Sequence, residues 1–193
     1  MVLLNSNAQH IFWLGRYLSR THFLCARFPF LEDEAAVAYA HAFCLPAFDA
    51  SSLNELVLDP TQVASFSQQF KVAKDNIQEL RGVLSASGYA ELMKLIKTAD
   101  KNAGYICEVV TECEDILEAE SSDIFLFFSL GQCVEQLDHQ LRLGEETSTT
   151  LCKIDYVVRI LVEMGWNDLE QYWEQLRTCL LYTSDAADDM QCV

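Results

Sequence analysis

The sequence predicts an all-α protein, a multi-helix bundle, on three observations. Apolar residues recur at three- and four-residue spacing along most of the chain, the period of a helix with one buried stripe. The 193 residues hold only three prolines and no convincing hairpin turn. A degenerate copy of one helical segment also occurs twice. IFWLGRYLSR, residues 11–20, and FFSLGQCVEQ, residues 127–136, are related by an offset of 130 − 14 = 116 residues when Leu14-Gly15 is set on Leu130-Gly131. Leu14 and Leu18 then fall on Leu130 and Val134, so two related helices are expected far apart in sequence.

The first helix is signalled by Ser6 with Gln9 three residues later, a capping box, and should run to about Phe28, before Pro29. Residues 32–45 suit a shorter helix that ends before Pro46. Residues 49–58 carry no decisive pattern. At Asp59-Pro60-Thr61-Gln62 an aspartate N-cap and a proline at the first helical position predict a long helix to about Arg81. Helices are further expected over residues 89–101, 105–118, from a cap at Ser122 to Gly144, over 151–164 with a stop at Gly165, and from Asn167 onward. Trp13, Gly15 and Gly131 are expected as packing residues. A glycine inside a helix costs about 1 kcal/mol relative to alanine, and close approach of a second backbone is the usual compensation.

Residues 179–193, CLLYTSDAADDMQCV, do not continue the preceding helical pattern. CLLYTSDAAD is similar to a frame translation of a transposon adaptor used in sequencing libraries. The expected organisation is therefore one helical domain over residues 1–178, incomplete at its C-terminus, followed by a non-native scar over 179–193. Without Asp185, Asp188 and Asp189 the acidic residues fall from 29 to 26 against 13 basic ones, a net charge of −13. Such a charge opposes nucleic-acid and anionic membrane surfaces, since phosphate recognition needs a basic patch. No stretch approaches the ~20 apolar residues that cross a bilayer. Cys25, Cys44, Cys107, Cys113, Cys133 and Cys152 lie in mostly apolar helical contexts without a CxxC pair, and read as reduced, buried thiols of a cytoplasmic protein.

Three blocks carry a family resemblance. They are His10-Ile11-Phe12-Trp13-Leu14-Gly15-Arg16-Tyr17-Leu18-Ser19-Arg20; Asp59-Pro60 with Ser65, then Ala73-Lys74-Asp75-Asn76 with Arg81; and Leu130-Gly131-Gln132-Cys133-Val134-Glu135-Gln136-Leu137-Asp138. In this order they resemble the WLGRYxERAE-like, DPxxxxS…ARENARxVR-like and LGRxxERAD motifs of the bacterial alpha-E domain family. The chain departs from those motifs at Ser19, His22, Lys74, Gln78, Gln132 and Gln136, and so resembles a divergent member. The resemblance implies a helical accessory domain of an ATP-grasp-linked system that forms or modifies amide or peptide bonds. ATP and magnesium would belong to the ATP-grasp-type partner, and this chain would bind no cofactor of its own.

Candidate binding residues on the motifs are Arg16, Arg20, Asn76, Arg81, Glu135 and Asp138. Arg16, Arg20 and Arg27 share a helical stripe and can meet Glu135 and Asp138, either as an interhelical ion-pair network or as a site whose guanidinium forks match a carboxylate. A di-iron bundle needs Glu-x-x-His pairs, and residues 7, 19, 38 and 136, three before each histidine, are not glutamates. No phosphate-binding loop, dinucleotide fingerprint or serine elbow is present, and no catalytic residue stands out. Two alternatives to the accessory role stay open: a bundle that itself acts on an amino-acid or peptide carboxylate, and a purely structural scaffold.

Overall fold

The computed structural model describes residues 3–99 and 103–189. Among them are nine α-helices, one 3-10 turn and no strand: α1 Asn5–Arg27, α2 Asp33–Ala42, α3 Ala50–Leu58, α4 Phe66–Glu79, the turn Leu80–Gly82, α5 Ala86–Ala99, α6 Ala103–Glu118, α7 Ser122–Leu143, α8 Ser148–Glu163 and α9 Asp168–Asp189. The fold is all-α. α1 is the organising helix, because its apolar stripe Ile11, Leu14, Leu18 and Leu24 is buried between α7, α4 and α6. α8 covers the other side of α7, and α9 packs on α8, where buried Trp173 donates its indole N–H to Asp155 at 2.5 Å.

α1 and α7 run parallel. Contacts advance together along both helices: Gly15 lies against Phe128 and Gln132, Arg20 against Glu135, Phe23 against His139 and Arg27 against Glu145. The two glycines make the crossing. A methyl group on Gly15 would overlap the carbonyl oxygen of Phe128, and one on Gly131 would overlap the carbonyl oxygen of Phe12. The same methyls would lie 3.2 Å from the backbone nitrogens of Gln132 and Arg16 respectively, an equally reciprocal pair. Phe12 and Arg16 correspond to Phe128 and Gln132 under the sequence repeat, so the pair has local two-fold symmetry.

Several boundaries differ from the sequence reading. The cap position of α1 falls at Leu4, two residues ahead of the expected Ser6, so Ser6 and Gln9 form no capping box. Residues 49–58 do form a helix, opened by a reciprocal capping box in which the Asp49 carboxylate accepts from Ser52 N and Ser52 Oγ accepts from Asp49 N. Asp59 ends that helix instead of opening the next one. Its carboxylate accepts from Thr61 N and Thr61 Oγ1 at 2.9 and 2.8 Å, which turns the chain and lowers the Asp59 pKa. α4 starts only at Phe66, capped by buried Ser65. Ser121, not Ser122, stands at the N-cap position of α7, and α5 and α8 start three residues earlier than expected. The stops at Gly144 and Gly165 hold, with φ of 67° and 103°.

The cysteines also differ. Cys25 and Cys107 form a disulfide between α1 and α6, with Cα atoms 5.5 Å apart across a sequence separation of 82. Their pairing depends on the packing of those two helices, which spacing in the sequence does not reveal. Cys44 and Cys152 are exposed and Cys133 is half-buried; of the thiols expected to be free and buried, only Cys113 is both. Its pKa is pushed up to about 12, first by burial and then by Glu112 and Glu114. α9 continues through Asp189, past Thr178, and residues 190–193 of the expected scar lie outside the described residues.

Gly15→Ala is expected to destabilise the protein by about 1–3 kcal/mol, the range for forcing extra atoms into a packed interface. Gly82→Ala, where a new methyl meets nothing within 4 Å, should be neutral or slightly stabilising. Urea unfolding of the two variants beside the parent measures the difference, and equal midpoints would show that the crossing does not require glycine at residue 15.

Candidate functional site

Arg16 and Arg20 lie one helical turn apart on α1, and both reach Glu135 on α7. Arg16 Nε donates to Glu135 Oε2 at 2.8 Å. Arg20 binds the same carboxylate with two N–H groups, Nε to Oε1 at 2.6 Å and Nη2 to Oε2 at 2.9 Å. Glu135 is 2% exposed, whereas the Arg16 and Arg20 side chains keep 18% and 35%. Burial tends to lower the Arg20 pKa, but the Glu135 hydrogen bond and charge outweigh it and the pKa is raised. Arg16 also lies over the Trp13 ring and Arg20 over Tyr17. Trp13, expected as a packing residue, is 42% exposed and flanks this charge cluster instead of entering the crossing.

The other candidate residues part company. Asp138 does not take Arg16 or Arg20; it accepts from Arg142 Nε at 3.0 Å, one turn along α7. Arg27 reaches Glu145 at 3.4 Å and lies over Tyr39. Asn76 is bonded to His10 at 3.0 Å, and Arg81 is exposed in the 3-10 turn. The direction of α4 explains both positions. Phe66 at its start packs on Phe28 and Asn76 near its end on His10, so α4 runs antiparallel to α1 and carries Asn76 and Arg81 away from Arg20.

What α4 brings to Arg20 is its beginning and the preceding turn. A cavity of about 560 Å³ lies there, with Tyr17, Arg20 and Leu24 of α1 on one side and Asp138 and Arg142 of α7 beside them. Tyr39 and Phe43 of α2 and its C-cap, Leu56 and Val57 of α3, Val72 of α4, and Gln62, Gln68 and Gln69 also line it, with residues 44–46 and 63–64. The sequence reading missed Tyr39, Arg142 and the three glutamines. Of these only Gln62 falls inside the Asp59–Ser65 stretch of a motif block. Burial pushes the Tyr39 hydroxyl up to about 12, with Arg27 and Arg20 opposing, so it stays a hydrogen-bond donor.

Charge in this region is unbalanced. The guanidiniums of Arg16, Arg20 and Arg142 face the carboxylates of Glu135 and Asp138, an excess of one positive charge in a chain of net charge −16. Across the local two-fold axis the equivalent positions are neutral: Gln132 for Arg16, Gln136 for Arg20 and Ser19 for Glu135. There, Gln132 and His22 bond Glu114 of α6 at 3.4 and 3.1 Å, and burial raises the Glu114 pKa. Among the described residues no group of three or more His, Cys, Asp or Glu side chains could hold a metal ion. No helix among them is long and apolar enough to cross a membrane.

The family model named Alpha-E, described as a predicted alpha-helical domain with a conserved ER motif, matches residues 3–182. The chain belongs to the Alpha-E family. No curated protein and no solved structure matches it. This Alpha-E chain contains no Glu-Arg dipeptide at all. Ser19-Arg20 and Glu135-Gln136 each keep one half of such a pair, and the two kept halves meet in space as the Arg20–Glu135 bidentate contact.

Glu135→Gln should cost roughly 3 kcal/mol, the low end for breaking a buried pair, because Arg20 retains solvent contact. Asp138→Asn, which breaks a half-exposed pair, should cost less than about 1 kcal/mol; denaturant midpoints decide. His139 gives a pH prediction. It is 6% exposed and packed between Phe23 and Phe43, and burial first and Arg27 second lower its pKa below 6.5, against Glu145, Glu135 and Asp138. Below pH 6.5 the unfolded chain therefore binds more protons at this residue than the folded one. Its contribution to stability is complete above that pH and is lost as pH falls through the lowered value. The urea midpoint should drop less between pH 7 and 5 in His139→Phe than in the parent, and parallel curves would refute the assignment.

Proposed function

We propose that the cavity beside Arg20 holds the carboxylate end of an amino-acid or peptide ligand, and that this Alpha-E domain is the helical accessory of an ATP-grasp-type system that forms or modifies amide or peptide bonds. The observation that carries the binding half is the pair of guanidiniums, Arg20 and Arg142, that line one cavity beside a single lining carboxylate, Asp138, in a strongly acidic chain. Glu135 holds Arg20 in a fixed orientation through two hydrogen bonds, so little side-chain freedom is lost when a ligand arrives. Arg142 of α7 lines the same cavity, with Nε donating to Asp138 Oδ2 at 3.0 Å and Nη1 to Ala42 O at 3.2 Å, so its remaining N–H groups are what it can offer a ligand. The partner half rests on the family resemblance, with ATP and magnesium held by the partner and the chemistry done there.

The test uses the full chain with and without an ATP-grasp-type partner protein, assayed for ATP-dependent amide formation. Activity only with both proteins is expected, and turnover by the bundle alone would overturn the accessory role. Arg142→Ala, whose partner Asp138 stays solvated, should raise the KM for the carboxylate substrate about tenfold, equivalent to about 1.4 kcal/mol. An unchanged KM would overturn the site.

A further inference from the structure

We infer that the hydroxyl of Tyr39 is a third donor to the anion held in this cavity, beside the guanidiniums of Arg20 and Arg142. This rests on the carboxylate-binding reading above and adds a contact that the ion pairs leave unassigned. Tyr39, on α2, lines the cavity and is 7% exposed. Its ring is packed against Phe43 and Phe30, with ring centres 4.5 and 5.2 Å away, and the Arg27 guanidinium carbon lies 5.9 Å from its centre. A ring held by these neighbours carries its hydroxyl in a set position, so contact with a ligand costs little further ordering.

Among the described residues the Tyr39 hydroxyl has no hydrogen-bond partner, although a buried tyrosine usually finds one. Nor is it sealed off. The unpartnered side-chain atoms closed to solvent are Gln69 Oε1, His139 Nε2 and Gln140 Oε1, and the Tyr39 hydroxyl is not one of them. A nearly buried ring whose hydroxyl keeps open surface at a cavity presents a donor that only water or a ligand can satisfy. The lining glutamines turn their amides to the chain instead: Gln62 Nε2 donates to Asp59 Oδ2 at 3.3 Å, Gln68 Nε2 to Pro60 O at 2.7 Å and Gln69 Nε2 to Ala64 O at 2.9 Å. Tyr17, the other tyrosine of the lining, is only half-buried, so solvent can meet its hydroxyl. Burial pushes the Tyr39 pKa up to about 12 against the opposing charges of Arg27 and Arg20, so the group stays an O–H wherever a ligand carboxylate is ionised below that value. Arg20, felt at that hydroxyl as a positive charge, belongs to the same lining. A neutral donor beside two charged ones suits an oxygen anion, to which hydrogen bonds are strongest.

NMR-monitored titration of the full chain with hexanoate, a carboxylate with no other polar group, tests this, with hexanamide as its uncharged counterpart. Hexanoate is expected to bind the parent roughly tenfold tighter than hexanamide, because a charged acceptor strengthens each hydrogen bond. Tyr39→Phe keeps the ring and removes only the hydroxyl. It should weaken hexanoate about tenfold, the contribution of a hydrogen bond to a charged group. Its ligand-free thermal transition should stay at the parent's or slightly above it, since no contact within the protein is lost. In the parent, hexanoate should also shift the Tyr39 Cζ resonance, a readout that needs no variant to fold. Equal hexanoate binding by Tyr39→Phe, or an unmoved Cζ resonance in a chain that binds hexanoate, would overturn the role of Tyr39 and leave the carboxylate site intact. A Tyr39→Phe chain that melts well below the parent would show the hydroxyl already in use within the protein, and would overturn it too. Equal binding of hexanoate and hexanamide, or no hexanoate bound at all, would overturn the carboxylate site itself.

Discussion

The contact on which the rest depends is the backbone-to-backbone approach of α1 and α7 at Gly15 and Gly131. Each glycine faces the carbonyl of a residue that its own repeat mate follows by three positions, and neither has room for a side chain. With the helices held this close and parallel, residues 116 apart in sequence become neighbours. Arg20 then reaches Glu135 through a short bidentate contact, and Phe23 stacks near His139 with ring centres 4.7 Å apart. The glycines accept a helix-propensity cost because the crossing returns it in burial along Ile11, Leu14 and Leu18.

The ion cluster beside the crossing reads more as a positioning device than as a source of stability. Burying Glu135 costs several kcal/mol in desolvation, which two guanidiniums repay in part, and such clusters often contribute little net stability. They fix geometry instead. One carboxylate shared by two arginines sets the direction in which Arg20 faces the cavity, and it leaves one positive charge over. On the far side of the two-fold axis the equivalent residues Ser19, Gln132 and Gln136 are all neutral, and the carboxylate there is Glu114 of α6, which His22 and Gln132 hold. That joint neutrality is what a buried site tolerates, since losing only one sign would strand a charge.

The 59–65 turn shows how a local conflict resolves. Asp59-Pro60 has the chemistry of a helix start, yet the Asp59 carboxylate is occupied by Thr61 and Ser65 is better placed, being buried and followed by the Phe66, Phe70, Ala73 and Ile77 stripe. The delayed start turns residues 62–64 into cavity wall and lets three glutamine amides brace them. A helix running from Asp59 would have had no such wall.

The sequence by itself determined the all-α class, the repeat at residues 14 and 130, the family and the tight glycine packing, because each is written in periodicity or in a residue type that tolerates only one use. It also placed Arg16, Arg20 and Glu135 on facing stripes. Only the tertiary structure decided that Glu135 takes both arginines while Asp138 takes Arg142, and that Cys25 pairs with Cys107. It also decided that Asn76 and Arg81 lie away from the cluster and Gln69 beside it. The physical reason is common to all of these: a local pattern fixes which face of a helix is buried, but the direction and register in which α4 and α6 lie on α1 are fixed by packing between segments distant in sequence.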